Sequence, residues 1–338
     1  MSKKSPTIFI LKYRALGDSI MGLSTITYLR SIYPNSKIYY GVRDWTAALY
    51  ERVETDADQV IPVKFDSFSD FRRMWKLFNL LGVDHIHELH LSGRTKRFCK
   101  LYSMLTKAKY TFHNHHLDAK GMQVHDQGVL KPLIQRDLDG AYTFLGENKD
   151  IPNYLDFEPR FKNLKVTSDF SIIFGVVATR QTKMWALENF VKLANKIKES
   201  FPHYNIKVPL SNSNQDKSIR EKLSKLDKGN HLEYIIEPLA ELPEIIGAAD
   251  LYIGNDTGLK HLAISTGIKS YTFFGPEPPN EWHPYDEKRH PYFYIEPLEC
   301  RTRTAHYCGL SECESMICLD NIQVEKVFEQ VNQDLRNV

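Results

Sequence analysis

No stretch of the 338-residue sequence approaches the roughly 20 consecutive apolar residues that a bilayer-spanning helix needs. Its opening, MSKKSPTIFILKYRALGD, contains one short apolar run, IFIL, too brief for the core of a secretory signal, and no small-residue cleavage site follows. A cytoplasmic protein is the expectation. Charge of one sign is also lacking. With 44 Lys and Arg against 42 Asp and Glu, the formal net charge is +2, so no global field favours nucleic acid and no nucleic-acid partner is expected. Cysteine is scarce, at five residues. Cys99 stands alone, whereas Cys300, Cys308, Cys313 and Cys318 crowd the C-terminal end. In a cytosolic chain such a cluster suggests metal or free thiols before disulfides. The tight CxxC pairs of most zinc sites are missing, so no metal is assigned; an iron or zinc clip and a set of small buried hydrophobes are the two readings of the cluster. Solenoid repeats and low-complexity tracts are absent too.

What the sequence has is the composition of a soluble globular protein, 42% hydrophobic and 25% charged. Its length is too great for one compact core and suits two domains. Strand-like runs at 7–13, 38–42, 58–63 and 85–91 alternate with helical patterns at 19–33, 68–82 and 95–107. The pattern blurs from 112 to 165, which places a boundary near 155–168. Alternation then restarts, with strands at 169–177, 205–210, 232–236, 251–254 and 269–275 and helices at 186–201, 215–226, 239–248 and 257–266. Strand alternating with helix predicts parallel sheets covered on both faces. A last helix, about 321–335, is compatible with packing on either domain.

Open parallel sheets bind ligands beyond the carboxyl ends of their strands. The stretch GNDTGLKHLAISTG at 254–267 occupies such a position, after the run LYI. Asp256 or Thr257 is placed to cap the following helix, whose free amides suit a phosphate. Gly258 allows a bulky anion to approach the backbone, and His261 lies one turn on. The alternative is that Asp256 only caps and His261 only packs. In the first domain, Gly17-Asp18 forms a turn at the end of the first strand, where the Asp18 carboxylate serves either as a base or as a helix cap. SGRTKRFCK at 92–100 sets Arg94, Lys96, Arg97 and Lys100 just after a strand. They fit either a phosphorylated or carboxylated partner or a solvated helix face. FSDFRRMWKLFNLL at 68–81 reads as a helix that covers the sheet or rests on a membrane surface.

Several of these segments, in order, resemble a known family. GNDTGLKHLA followed by GIKSYTFFGPEPPNEWHPY is similar to the donor-binding segment of the glycosyltransferases that include the ADP-heptose:lipopolysaccharide heptosyltransferases (glycosyltransferase family 9). The matching residues are Asp256-Thr257-Gly258, His261-Leu262-Ala263 and Phe274-Gly275-Pro276, with Trp282 and Pro284 beyond. LKYRALGDSIMGLSTITYLRSIYPNSKI resembles the family's opening strand, glycine turn and helix. KMWALENFVKLANKIKE, with Lys183 and Trp185, and the ending CLDNIQVEKVFEQV are similar as well. The resemblance spans nearly the whole chain.

It implies a GT-B fold: two Rossmann-like α/β domains facing across a cleft. Residues 1–165 would bind the acceptor and 166–320 the nucleotide-sugar, with 321–338 a C-terminal helix able to return to the first domain. It further implies inverting, metal-independent transfer of a heptose or similar sugar from an ADP-sugar donor to a lipopolysaccharide-core or other glycan acceptor, with no cofactor. Asp18 matches the family's base. Lys183, Asp256, Thr257, Gly258 and His261 match the donor and phosphate side, and Gly17, Arg94, Lys96 and Arg97 are assigned to the acceptor. A glycolipid acceptor would bring the enzyme into peripheral contact with the inner membrane surface. Three segments depart from the family pattern: KVPLSNSNQDK has Pro209 and no glycine turn, Lys260 is larger and charged, and ATRQTK is poor in glycine and serine. Two other functions are carried beside the transferase, a sugar-nucleotide epimerase of the same architecture and a non-catalytic nucleotide-sugar-binding subunit.

Overall fold

The computed structural model describes residues 5–90, 92–112, 131–145, 150–164, 166–300, 308, 310 and 312–336. The chain divides into two compact units, Met1–Asn163 and Leu164–Val338.

In the first unit, β1 (Thr7–Lys12) leads through α1 (Leu16–Met21) and α2 (Leu23–Ile32) to β2 (Lys37–Arg43), α3 (Asp44–Ala47) and β3 (Gln59–Val63). The chain continues through α4 (Phe68–Leu81), β4 (His85–Glu88), α5 (Gly93–Leu105), β5 (Lys109–Phe112) and α6 (Leu133–Leu145). All pairings are parallel, in the order β3-β2-β1-β4-β5. Winding therefore reverses between β1 and β4, and the ends of these two strands frame the unit's crevice.

The elements follow from the residues. TIFILK is buried almost throughout, as a strand flanked by neighbours and covered on both faces must be. Ser67 and Asp70 form a reciprocal capping box at the start of α4, and Gly82, at φ 63°, ends it in the left-handed region. The buried face of α4 carries Met74 and Phe78, and Phe78 meets Phe9 with ring centroids 4.4 Å apart. This helix therefore covers the sheet.

The helix expected at 19–33 is two helices, and Gly17-Asp18 lies in the first turn of α1 instead of in a turn before it. The break falls at Gly22, where a Cβ would stand 2.1 Å from Tyr40 Oη. That hydroxyl donates to the Ser19 carbonyl at 2.7 Å, so a strand residue is wedged against the helix junction. Residues 113–130, inside the segment that reads ambiguously, lie outside the described residues; β5 and α6 on either side are regular elements that the sequence pattern did not announce.

In the second unit the order is β6 (Ser171–Gly175), α7 (Leu187–Ser200), β7 (Asn205–Pro209), α8 (Asn214–Leu226), β8 (Leu232–Ile235), α9 (Leu242–Gly247) and β9 (Leu251–Asn255). Then follow α10 (Gly258–Thr266), β10 (Lys269–Phe273), α11 (Pro279–Trp282), β11 (Tyr292–Phe293), α12 (Ile317–Asp320) and α13 (Val324–Leu335). The sheet is again parallel, β11-β10-β9-β6-β7-β8, with its reversal between β6 and β9. The last helix packs within this unit, burying Val324, Val327, Val331 and Leu335 in the core that includes α7 residues Phe190, Leu193, Ala194 and Ile197.

The two strands at that reversal are packed unusually closely. A Cβ on Gly254 would lie 2.6 Å from the Gly175 carbonyl oxygen and 2.7 Å from its Cα. The backbone of Gly175 cannot readily yield, so Gly254→Ala is expected to cost about 1–3 kcal/mol, as overpacking does, read as a lower Tm. Gly93→Ala, where nothing stands within 4 Å, should leave the Tm unchanged.

Candidate functional site

The carboxyl ends of β6 and β9 meet at the switch point of the second sheet, and the sequence Asn255-Asp256-Thr257 leaves β9 there. Asn255 is fully buried and works as a clamp. Its amide donates to the Val176 carbonyl at 2.8 Å, and its oxygen accepts from the Trp185 backbone N–H at 2.9 Å. This ties the loop after β6, which carries Lys183, to the start of α10. Trp185 is itself fixed, with its indole N–H on the Ile322 carbonyl and its ring against Phe273.

Asp256 lies between two lysines. Its Oδ2 accepts from Lys183 Nζ at 2.8 Å and its Oδ1 from Lys260 Nζ at 2.6 Å. Burial pushes the carboxyl pKa up, but Lys183, Lys260 and His261 outweigh it and hold the group well below the usual carboxylate range, so Asp256 is ionised. Lys183 retains some solvent access, whereas the Lys260 side chain has none. Glu277 extends the group: it pairs with Arg180 and stands 3.9 Å from Lys183 Nζ.

Thr257 is the N-cap residue of α10, in extended conformation, and among the described residues no side chain caps the helix; Asp256 is engaged with the lysines instead. The first amides of α10 are thus left for another acceptor, with Thr257 and Gly258 half-buried beside them. The Thr257 side chain hydrogen-bonds Tyr252. His261 lies deeper. It is buried, its Nδ1 hydrogen-bonds Tyr285 Oη, and burial with the nearby Lys260 holds it neutral, its pKa well below the ordinary value.

In the first unit, Asp18 is half-buried in the first turn of α1, just beyond the end of β1, with Gly17 buried next to it. Among the described residues, no side chain donates a hydrogen bond to the Asp18 carboxylate. Beneath it, Tyr50 Oη donates to Ser19 Oγ at 3.1 Å, and Tyr40 is pushed to a higher pKa by burial and by Tyr50, Asp137 and Asp18 itself. Lys12, at the buried end of β1, pairs with Asp137 of α6 at 2.6 Å.

Glu88 ends β4 across the same switch point and was not singled out from sequence. It accepts from Thr95, from Tyr110 at 2.6 Å and from the Ser92 N–H at 3.3 Å. Burial raises its pKa to about 7 against the pull of those donors. Arg94, Lys96 and Arg97 are all exposed on the first turns of α5. Arg94 pairs with Asp66, and Lys96 Nζ stands 5.5 Å over the Phe112 ring.

Cys300, Cys308, Cys313 and Cys318 are free and partly buried. Among the described residues no three His, Cys, Asp or Glu side chains are grouped to hold a metal ion, and much of 301–311 lies outside the described set. Nor, among those residues, is any helix long and apolar enough to cross a membrane.

This arrangement has counterparts in known proteins. The lipooligosaccharide heptosyltransferase 2 of Campylobacter jejuni is 23% identical over 337 residues, covering 98% of each chain. The structure of the Escherichia coli ADP-heptose lps heptosyltransferase II superposes with a TM-score of 0.73 at 16% identity, over 97% of this chain and 98% of that one. A glycosyltransferase family 9 structure from Veillonella parvula gives a TM-score of 0.75 at 17% identity, over 100% and 99% of the two chains. The family model of glycosyltransferase family 9 (heptosyltransferase) matches residues 110–307, well over half of the sequence. The two α/β units, each with a parallel sheet that reverses at its centre, are therefore those of a GT-B glycosyltransferase, and the chain belongs to glycosyltransferase family 9.

Proposed function

We propose that this enzyme transfers a heptose, or a closely similar sugar, from an ADP-linked donor to a lipopolysaccharide-core or related glycan acceptor, with inversion and without a metal. The observation that carries the reading is the ion-paired group at the start of α10: Lys183, held by Asp256, beside amides that no side chain caps among the described residues. A cation and a helix N-terminus at the carboxyl end of β9 form a receptor for a diphosphate. The relatives support the choice of sugar, since one curated relative is a lipooligosaccharide heptosyltransferase and one similar structure is that of an ADP-heptose enzyme.

In the proposed reaction the Asp18 carboxylate takes the proton of the acceptor hydroxyl. The freed oxygen attacks the anomeric carbon on the face opposite the diphosphate, a new C–O bond forms as the old one breaks, and ADP leaves. Lys183 and the amides at Thr257 and Gly258 meet the charge that develops on the leaving oxygens. Asp256 acts through Lys183. His261, neutral and bonded to Tyr285, acts by fixing the α10 turn that carries these groups. On the acceptor side, Gly17 leaves room beside Asp18, and Arg94, Lys96 and Arg97 receive phosphate or carboxylate groups.

The same unit offers a surface for a lipid-borne acceptor. Leu80 of α4 and Leu101, Met104 and Leu105 of α5 are exposed, fringed by Lys76, Lys100 and Lys107, which are exposed too. Tyr102 Oη donates to Asn79 Oδ1 at 2.9 Å and joins these two helix ends. Apolar side chains within a basic fringe fit an anionic bilayer surface from the cytoplasmic side.

Three outcomes are expected. Asp18→Asn should lower kcat by roughly 100-fold or more, the scale of general-base catalysis, while the Kd for ADP stays near the wild-type value; near-normal turnover would remove Asp18 from the mechanism. In a thermal-shift screen of nucleoside diphosphates, ADP should raise the Tm most, as a ligand that binds only the folded state does; a larger shift by another base would reassign the donor. Co-sedimentation with phosphatidylglycerol vesicles should exceed that with phosphatidylcholine, and the triple change Leu101→Asp, Met104→Asp and Leu105→Asp should abolish it with transfer to a water-soluble acceptor unaffected.

A further inference from the structure

Lys260 is the least expected residue of the α10 segment. It sits one helical turn beyond Asp256, has a wholly buried side chain, and carries an ammonium into the interior. That ammonium is fully provided for: it donates to Asp256 Oδ1 at 2.6 Å and to the Trp282 carbonyl at 2.9 Å, and it lies 4.8 Å from the centroid of the Phe274 ring. With no exposure, Lys260 touches no ligand. What it does at the site passes through its partners, and of these Asp256 is the charged one.

The ion-paired group to which it belongs contains Lys183, Lys260 and Arg180 facing Asp256 and Glu277. The cations outnumber the carboxylates by one. Without Lys260 the group would be electrically balanced, and the carboxylate of Asp256, at the mouth of a proposed anion site, would cancel the charge that Lys183 offers. We infer that Lys260 is a positioning residue that neutralises Asp256 from beneath, so that Asp256 orients Lys183 without repelling the diphosphate. The inference rests on the donor reading given above. It assigns to the buried lysine the net positive charge of the site, and to Asp256 the role of a bracket.

Lys260 has its pKa lowered to about 8, by burial first and by Lys183, against the opposing pull of Asp256. The other titratable groups facing it are His261 of α10, and His283 and Tyr285 beyond α11; both histidines are pushed well below their ordinary pKa by burial. The lysine is therefore the group that changes charge above neutrality. Since the protonated form favours the anion, affinity should decline as pH rises through about 8.

Calorimetric titration of the full chain with ADP and with inorganic pyrophosphate tests this. Lys260→Met is expected to weaken both ligands by roughly tenfold or more, the effect of one charge lost a few ångströms from a partly desolvated anion. The double variant Asp256→Asn with Lys260→Met removes one charge of each sign and restores the excess, while the asparagine oxygen can still accept from Lys183, so it should bind both ligands more tightly than Lys260→Met alone. The wild-type affinity should fall between pH 7.5 and 9, and that fall should be absent in the double variant. Equal binding by Lys260→Met, or a double variant no better than the single one, would overturn the charge-balance role; the latter is what a purely structural lysine would give. If Lys260→Met does not fold, the double variant and the wild-type pH series decide the matter between them. A wild-type chain that binds neither ligand at any pH sinks the donor reading itself, a result distinct from either.

Discussion

The site at the start of α10 depends on one carboxylate kept ionised in a dry place. Asp256 is buried, and burial alone would drive it toward its neutral form. Two ammonium groups reverse that preference, one from a loop 73 residues earlier and one from the first turn of α10. Removing one partner from such a buried group costs far more than the pair contributes, because the remaining charge is left without compensation. The loop after β6, the start of α10 and the segment around Trp282 are therefore held in one arrangement. Asn255 adds the neutral half of the clamp through Val176 and Trp185.

The first unit solves a similar problem at its own switch point. Lys12, buried at the end of β1, is matched by Asp137 of α6, and Glu88 at the end of β4 is surrounded by three donors. Parallel sheets covered on both faces leave few places for polar groups, and the strand ends at the reversal are those places. Lys12, Glu88, Asn255 and Asp256 are each satisfied from within their own unit. What stays open is a carboxylate in one unit, Asp18, and a set of amides with a lysine in the other.

Much of this architecture is legible in the sequence because buried parallel strands read as unbroken apolar runs, such as TIFILK and SIIFG, and the intervening helices carry clear apolar stripes. The motif residues Asp18, Lys183 and Asp256-Thr257-Gly258 could be proposed from their position after strands and from family resemblance. Three things could not be read. The break at Gly22 depends on Tyr40, a residue of another element. The role of α6 depends on Asp137 meeting Lys12 across 125 positions. The partnership of Asp256 with Lys183, in place of a helix cap, is likewise a long-range fact. Lys260 is the intermediate case: its i, i+4 spacing from Asp256 was visible, and its burial was not. Family membership favours the transferase over the epimerase and the non-catalytic subunit.

Trp185 connects the start of α10 to residues much later in the chain. Its backbone N–H is spent on Asn255, immediately before Asp256, and its indole N–H on the carbonyl of Ile322. A chain emerging from the ribosome has made Lys183 and Asp256 long before it has made Ile322. Until then the indole lacks its acceptor, and the floor under the two charged residues is unfinished. The floor beneath Lys183 and Asp256 is thus closed only once the residues between α12 and α13 are in place.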